Sequence, residues 1–68
     1  MENESFGALL RSMRSKKNLS QVQLGELIGV SGKAISKLEN NYTKPKGLSL
    51  ARMSEVFSVD VKTLVEML

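Results

Sequence analysis

Apolar residues recur at helical spacing in five short stretches of this chain. In the first stretch, four apolar residues follow the i, i+3, i+4, i+7 spacing of a helix with one buried face: Phe6, Leu9, Leu10 and Met13. Ser5 stands where a serine side chain caps a helix N-terminus, and Asn18 is expected to end the helix in the left-handed conformation. These residues predict a first helix with one face in the core.

The second stretch predicts a short helix that ends at a glycine. Ser20 and Gln23 have the spacing of a capping box, so the helix is expected to begin just after Ser20. Three apolar residues are expected to face inward: Leu24, Leu27 and Ile28. Val22 lies off this stripe, and the pattern gives no reason for an apolar residue there. Gly29 is expected to end the helix with a positive φ, and Gly25 would let a neighbouring helix approach closely.

The third stretch predicts a helix capped by Ser31, with Ile35 and Leu38 facing the core and Val30 filling the turn before it. Its outer face would then carry small, polar and basic residues: Gly32, Lys33, Ser36 and Lys37. Two short capped helices joined at a glycine are typical of a helix-turn-helix, whose second helix can enter the DNA major groove. A merely solvent-exposed helix has a similar outer face, so this face alone does not separate the two interpretations.

The rest of the chain predicts two more helices. Asn41 is expected to end the third helix in the left-handed conformation, and residues 42–47 to form a loop that contains the single proline. The fourth helix would bury Leu50, Met53 and Phe57, while Val59 packs in the next turn and Asp60 caps the fifth helix. One side of that fifth helix is apolar: Val61, Leu64, Val65 and Leu68. Five helices with short connections and no strand pattern predict an all-α fold.

Size and composition limit the possible functions. The 68 residues fit one domain, residues 1–68, of which residues 1–4 are expected to be a frayed tail. The chain has no cysteine and no histidine, so the commonest metal ligands and the commonest general base are missing. We therefore expect no enzyme activity, no metal and no cofactor. No apolar run is long enough to cross a membrane, and the acidic start is unlike a signal peptide, which together indicate a cytoplasmic protein.

The positive charge of the chain is concentrated in two places. The net charge is +3, but residues 11–17 contain four basic residues and no acidic one, and residues 31–47 contain four lysines against Glu39 alone. Most charge clusters are ordinary solvated faces. Because these two flank the predicted helix-turn-helix, they favour a surface that faces phosphate groups.

Several positions in combination resemble a known family. They are Leu19-Ser20-Gln21, Leu24-Gly25, Gly29-Val30-Ser31, Ile35-Ser36, Glu39, Pro45, Leu50 and Val59. This set is similar to the DNA-binding domains of phage repressors and Cro-type proteins, the XRE group of bacterial regulators, over about residues 6–68. The resemblance implies a compact five-helix, lambda-repressor-like domain in which helices two and three form the helix-turn-helix.

The resemblance also implies roles for individual residues. The positions that face base edges correspond to Gly32, Lys33, Ser36 and Lys37, and the Ser31 hydroxyl adds to them. The positions that meet the DNA backbone correspond to Gln21, which also braces the recognition helix, and to Asn40, Tyr42 and Lys44; the basic clusters add Arg11 and Lys46. Arg14 and Glu39 match a buried salt bridge between the first and third helices of several members. For Arg14, a phosphate contact or a solvated charge is the alternative.

The chain departs from the family pattern at three positions. Gly25 replaces the usual alanine and Asn41 the usual glycine, and both keep the small size or the tolerance of positive φ that the site needs. Gly32 has no side chain where a base-reading one often stands. Direct readout would then depend on Lys33 and Lys37, with the serine hydroxyls and DNA shape as further contributors.

These observations favour a small sequence-specific transcriptional regulator, most simply a Cro-like repressor that binds a palindromic operator in double-stranded DNA as a homodimer. The candidates for the dimer surface are Val61, Val65 and Leu68, with packing against the first helix as the alternative; for Leu64 core packing is favoured. A chain of this size has no room for a ligand-sensing domain, so we expect no small-molecule ligand and no membrane partner. The rival interpretation is a helix-turn-helix interaction module, an antitoxin or adaptor, with weak or no specific DNA binding.

Overall fold

A computed structural model describes residues 5–68, and the tail expected at residues 1–4 lies outside the described residues. The described part of the chain folds into five helices and contains no strand: α1 (Phe6–Lys16), α2 (Gln21–Ile28), α3 (Gly32–Glu39), α4 (Gly47–Phe57) and α5 (Val61–Glu66). This architecture confirms the all-α, five-helix prediction.

Four of the five helices begin at the N-cap residues that their local chemistry indicates, whereas α4 has no side-chain cap at Lys46. The predicted N-caps accept hydrogen bonds from backbone N–H groups of the first turn: Ser5, Ser20, Ser31 and Asp60. The capping box of Ser20 and Gln23 is complete in both directions. Three residues adopt the predicted left-handed conformation, with φ of 57° at Asn18, 83° at Gly29 and 62° at Asn41. These boundaries depend on contacts within a few residues, which is why the sequence predicts them well.

One apolar core lies where the five helices meet. Its members are Phe6, Leu10, Leu24, Ile28, Ile35, Leu38, Leu50, Met53, Phe57 and Leu64. Val30 and Val59, in the turns before α3 and α5, pack against its margin as predicted. Within this arrangement α2 contacts α3 and α4, α1 contacts α3, and α4 contacts α5. The α2–α3 pair is therefore packed against α1 through α3 and against α4 through α2.

Two predictions about these helices are wrong. Leu27 was expected to face inward, but 53% of its surface is exposed. The buried face of α2 runs through Leu24, Gly25 and Ile28, and Leu27 lies roughly 110° from its centre at 3.6 residues per turn. Gly47 was expected in the loop, but it is the first residue of α4, since helix ends vary by a residue or two.

Candidate nucleic-acid interface

The turn between α2 and α3 is closed by contacts that leave no space for a side chain at residue 25. A Cβ atom there would lie 2.4 Å from the carbonyl oxygen of Val30. The N–H groups of Gly29 and Val30 both donate to the Gly25 carbonyl, at 2.7 and 2.8 Å. The close neighbour of Gly25 is thus the backbone of the turn itself. This packing fixes α3 relative to α2.

The end of α2 is also supported from α4. Arg52 Nη1 donates to the carbonyl oxygen of Ile28 at 3.3 Å, in the last turn of α2. A cation at this position also suits the negative end of the helix dipole. The helix-turn-helix is therefore held by a side chain outside it, a contact that the sequence pattern did not indicate.

The outer face of α3 presents two lysines one turn apart. Lys33 and Lys37 are exposed, whereas Gly32 and Ser36 are half-buried. Ser31 is exposed, and its Oγ accepts from the N–H of Ala34 at 3.0 Å, so the hydroxyl hydrogen can still donate elsewhere. None of the five residues predicted to read bases is fully buried, and the two lysine ammonium groups are their principal donors.

The loop after α3 is anchored by hydrogen bonds to α3 and leaves its polar side chains exposed. Asn40 Nδ2 donates to the Ser36 carbonyl at 2.8 Å, and the Tyr42 N–H donates to the Lys37 carbonyl at 2.9 Å. The Tyr42 side chain is 78% exposed. The other predicted phosphate contacts of this loop are exposed as well: Lys44 and Lys46. The loop thus extends the basic surface of α3 at its C-terminal end.

A buried carboxylate lies at the C-terminal end of α3. Glu39, whose side chain has no exposed surface, accepts from Arg14 Nε at 2.5 Å and from Arg14 Nη2 at 3.1 Å. Gln21 Nε2 donates to the same carboxylate at 3.1 Å, and Arg11 Nε lies 3.4 Å from it. Arg14 also donates to the Leu19 carbonyl, at 2.8 Å, in the segment between α1 and α2. This cluster therefore joins α1, α2 and α3 at one point.

The charge state of this cluster is set by competing effects. Burial by itself raises the pKa of Glu39, but the hydrogen bonds from Arg14 and Gln21 and the positive charge of Arg14 outweigh it, so the pKa lies below its usual range. The hydrogen bond to Glu39 in turn raises the pKa of Arg14. The pair is therefore fully ionised at neutral pH.

The sequence did not predict how many side chains converge on Glu39. Arg11 was assigned to phosphate from its charge alone, yet it lies beside Glu39 with 56% of its side chain still exposed. Gln21 lies at the start of α2 and contacts the end of α3 through Glu39. The brace that the family resemblance implied for Gln21 corresponds to this contact. The residue pattern of α2 or of α3 alone does not predict that these side chains meet at Glu39.

The sequence also did not predict a second connection between α1 and the end of α3, made by Asn41. Asn41 Oδ1 accepts a hydrogen bond from the Gly7 N–H at 3.0 Å, and its Nδ2 donates to Ser5 Oγ at 3.0 Å. The sequence indicated only that Asn41 tolerates a positive φ. In the structure the same residue ends α3 and holds the N-terminus of α1.

The fifth helix divides its apolar residues between the core and the surface. Leu64 is fully buried, as favoured from the sequence. The three dimer candidates are exposed, at 38% for Val61, 49% for Val65 and 45% for Leu68. None of the three belongs to the apolar core, although Leu68 lies beside Phe6 of α1 in a shallow surface groove.

Other kinds of site find no support in the part of the chain that the structure describes. Residues 5–68 contain no group of acidic side chains arranged to hold a metal ion. None of the helices over the same residues has the length and the apolar character needed to cross a membrane.

Comparison with known proteins places this geometry in a family. A helix-turn-helix family model matches residues 10–64. The chain is 36% identical to Repressor protein C2 of Salmonella phage P22 over 55 residues, which is 81% of this chain and 26% of that protein. It is 27% identical over 64 residues to the ImmF control region 10 kDa protein of Bacillus phage phi105, covering 94% of this chain and 71% of that protein. The chain thus spans about a quarter of the P22 repressor.

The fold agrees with a solved structure of that repressor. The crystal structure of the P22 C2 repressor in complex with a synthetic operator superposes with a TM-score of 0.84 at 33% identity, covering 90% of this chain and 92% of that one. The chain therefore belongs to the helix-turn-helix family, in the XRE-type group that includes phage repressors.

Proposed function

We propose that this chain binds double-stranded DNA at specific sequences and regulates transcription, in the simplest case as a repressor that occludes a promoter. The observation that carries the proposal is the construction of α3. Its outer face presents Lys33 and Lys37, while its C-terminal end is fixed to α1 and α2 through buried Glu39. A rigidly held helix with a basic outer face suits insertion into the major groove.

Within this proposal the basic surface divides into two functions. Residues of α3 read base edges: Ser31, Gly32, Lys33, Ser36 and Lys37. Lysine donates well to the O6 and N7 atoms of guanine, so half-sites containing guanine fit this surface. Residues around α3 contact phosphate groups and set the register on the duplex: Gln21, Arg11, Asn40, Tyr42, Lys44 and Lys46. The P22 C2 repressor, whose structure is similar over 90% of this chain, was solved in complex with a synthetic operator, which supports binding of DNA by this fold.

The proposal includes a two-fold dimer on a nearly palindromic operator, with half-sites about 34 Å apart. Exposed Val61, Val65 and Leu68 offer an apolar surface for the second copy. The proposed activity takes place where bacterial or phage DNA is found, in the cytoplasm. It assigns the chain no catalytic step, no cofactor and no small-molecule ligand.

Selection of bound sequences from random DNA tests the proposal directly. The purified chain should enrich a two-fold symmetric sequence, and the complex with that sequence should survive an excess of random competitor DNA in a gel shift. A double variant, Lys33→Ala with Lys37→Ala, should lose this preference while melting like the parent chain. Enrichment of no sequence at all would contradict the proposal and favour the interaction module.

A further inference from the structure

Val22 and Gly32 share one space at the junction of α2 and α3. A Cβ atom at residue 32 would lie 2.7 Å from Val22 Cγ2 and 3.2 Å from both Cα and N of Val22. The methyl group of Val22 therefore occupies the place where a side chain at residue 32 would begin. This contact explains why α3 begins with a glycine.

Val22 is nevertheless an exposed residue. Its surface is 59% accessible, and it is not among the hydrophobic residues that pack against the core. A β-branched apolar residue in the first turn of a helix gains nothing from helix propensity either. Neither the core nor the helix accounts for a valine at this position.

We propose that Val22 completes the base-reading surface in place of a side chain at residue 32, by contacting the 5-methyl group of a thymine. This inference rests on the proposed function. The N-terminal residues of the second helix of a helix-turn-helix contact base edges, and Gly32 is the first residue of α3. The side chain nearest to that position is on α2 and is apolar. The thymine methyl is the apolar feature of the major groove, so Val22 selects thymine at one position of each half-site.

Single-atom changes in the DNA test this contact. An operator obtained by selection is prepared with each thymine replaced in turn by deoxyuridine, which removes only the 5-methyl group. At one thymine per half-site the parent chain should lose about fourfold in affinity, the effect expected for one buried methyl group. The Val22→Ala variant should show no loss at that thymine and should bind the unmodified operator about as weakly as the parent chain binds the substituted one.

Leu27→Ala is the matched control, because Leu27 is an exposed apolar residue on the same helix. It should retain the full sensitivity to deoxyuridine, and both variants should melt like the parent chain. If no thymine shows the effect, or if Val22→Ala shows it as strongly as the parent chain, the inference is wrong although the chain binds DNA specifically. If selection yields no preferred sequence, the proposed function fails and this inference fails with it.

Discussion

A Cβ atom at residue 7 would lie 2.2 Å from the carbonyl oxygen of Glu39, so the glycine lets α1 rest directly on the C-terminal end of α3. The same residue donates its N–H to Asn41 Oδ1, just beyond that end. The start of α1 is therefore fitted to the end of the helix that we propose enters DNA. Few side chains could be exchanged at this point without moving α3.

Gly7→Ala should destabilise the fold strongly. The obstructing atoms are backbone atoms of residues 38 and 39, which cannot rotate away, so we expect a loss of about 3 kcal/mol, at the upper end of overpacking effects. For a chain of this size the melting temperature should fall by more than about 10 °C. Gly47→Ala is the control, because a Cβ at residue 47 meets nothing within 4 Å. Equal melting temperatures for the two variants would contradict this account of the α1–α3 contact.

Glu39→Gln should remove stability in a pH-dependent way. The pKa of Glu39 is lowered in the folded chain, so its ionised form stabilises the fold above the ordinary glutamate pKa of about 4.3, and this contribution is lost as the pH falls through the lowered value. At neutral pH the substitution should cost about 3 kcal/mol, because it leaves the largely buried Arg14 without its partner charge. Urea unfolding at pH 7 and at pH 3 measures the difference, which should shrink at the lower pH. A difference independent of pH would show that the charge of Glu39 does not matter.

Lys37→Ala and Lys44→Ala should weaken DNA binding in different ways. Lys37→Ala, on the outer face of α3, should cost about 1–3 kcal/mol of binding free energy on the preferred operator and relax the preference at particular bases. Lys44→Ala, in the loop after α3, should weaken binding to all sequences alike and reduce the slope of log affinity against log salt by about one. Titrations of both variants on operator and random DNA, at several salt concentrations, separate the two patterns. If both variants lost affinity equally on operator and random DNA, α3 would not be the reading helix.

Val65→Asp should weaken self-association. Val65 is half exposed on α5 beside the other two dimer candidates, and a charge there would have to be desolvated on forming an apolar interface. Sedimentation equilibrium, alone and with the operator, should show a lower dimer fraction for this variant. Leu27→Asp, an exposed site on α2, serves as the control and should associate like the parent chain. A parent chain that occupies each half-site independently would contradict the proposed dimer.

Local features of this fold follow from the sequence because their causes are local. Ser20 and Gln23 complete a capping box within four residues, and Asn18 and Gly29 adopt positive φ at the ends of their helices. Each depends on backbone sterics and hydrogen bonds inside a single turn. Leu27 was misplaced because spacing alone does not say where the centre of a buried face lies.

Contacts between helices could not be predicted from the sequence, because they depend on how the helices pack. The hydrogen bond between Asn41 and Gly7 joins two helices that are far apart in sequence. The contact of Val22 with Gly32 joins two neighbouring helices that fold back on each other. In the second pair the sequence shows a valine off the apolar stripe of its helix and gives no reason for it. Only the fold shows that this valine lies over Gly32 and that Asn41 holds the start of α1.

The sequence by itself determined five helices, four of them with a side-chain N-cap, a helix-turn-helix at residues 20–39 and a family resemblance that the comparisons confirm. The tertiary structure decided that Arg11, Arg14 and Gln21 converge on Glu39 and that Val61, Val65 and Leu68 stay on the surface. Helix formation is governed by interactions within a few residues, which a sequence displays. The burial of a side chain and the partner of a charge depend on the packing of whole helices, which appears only when all of them are in place.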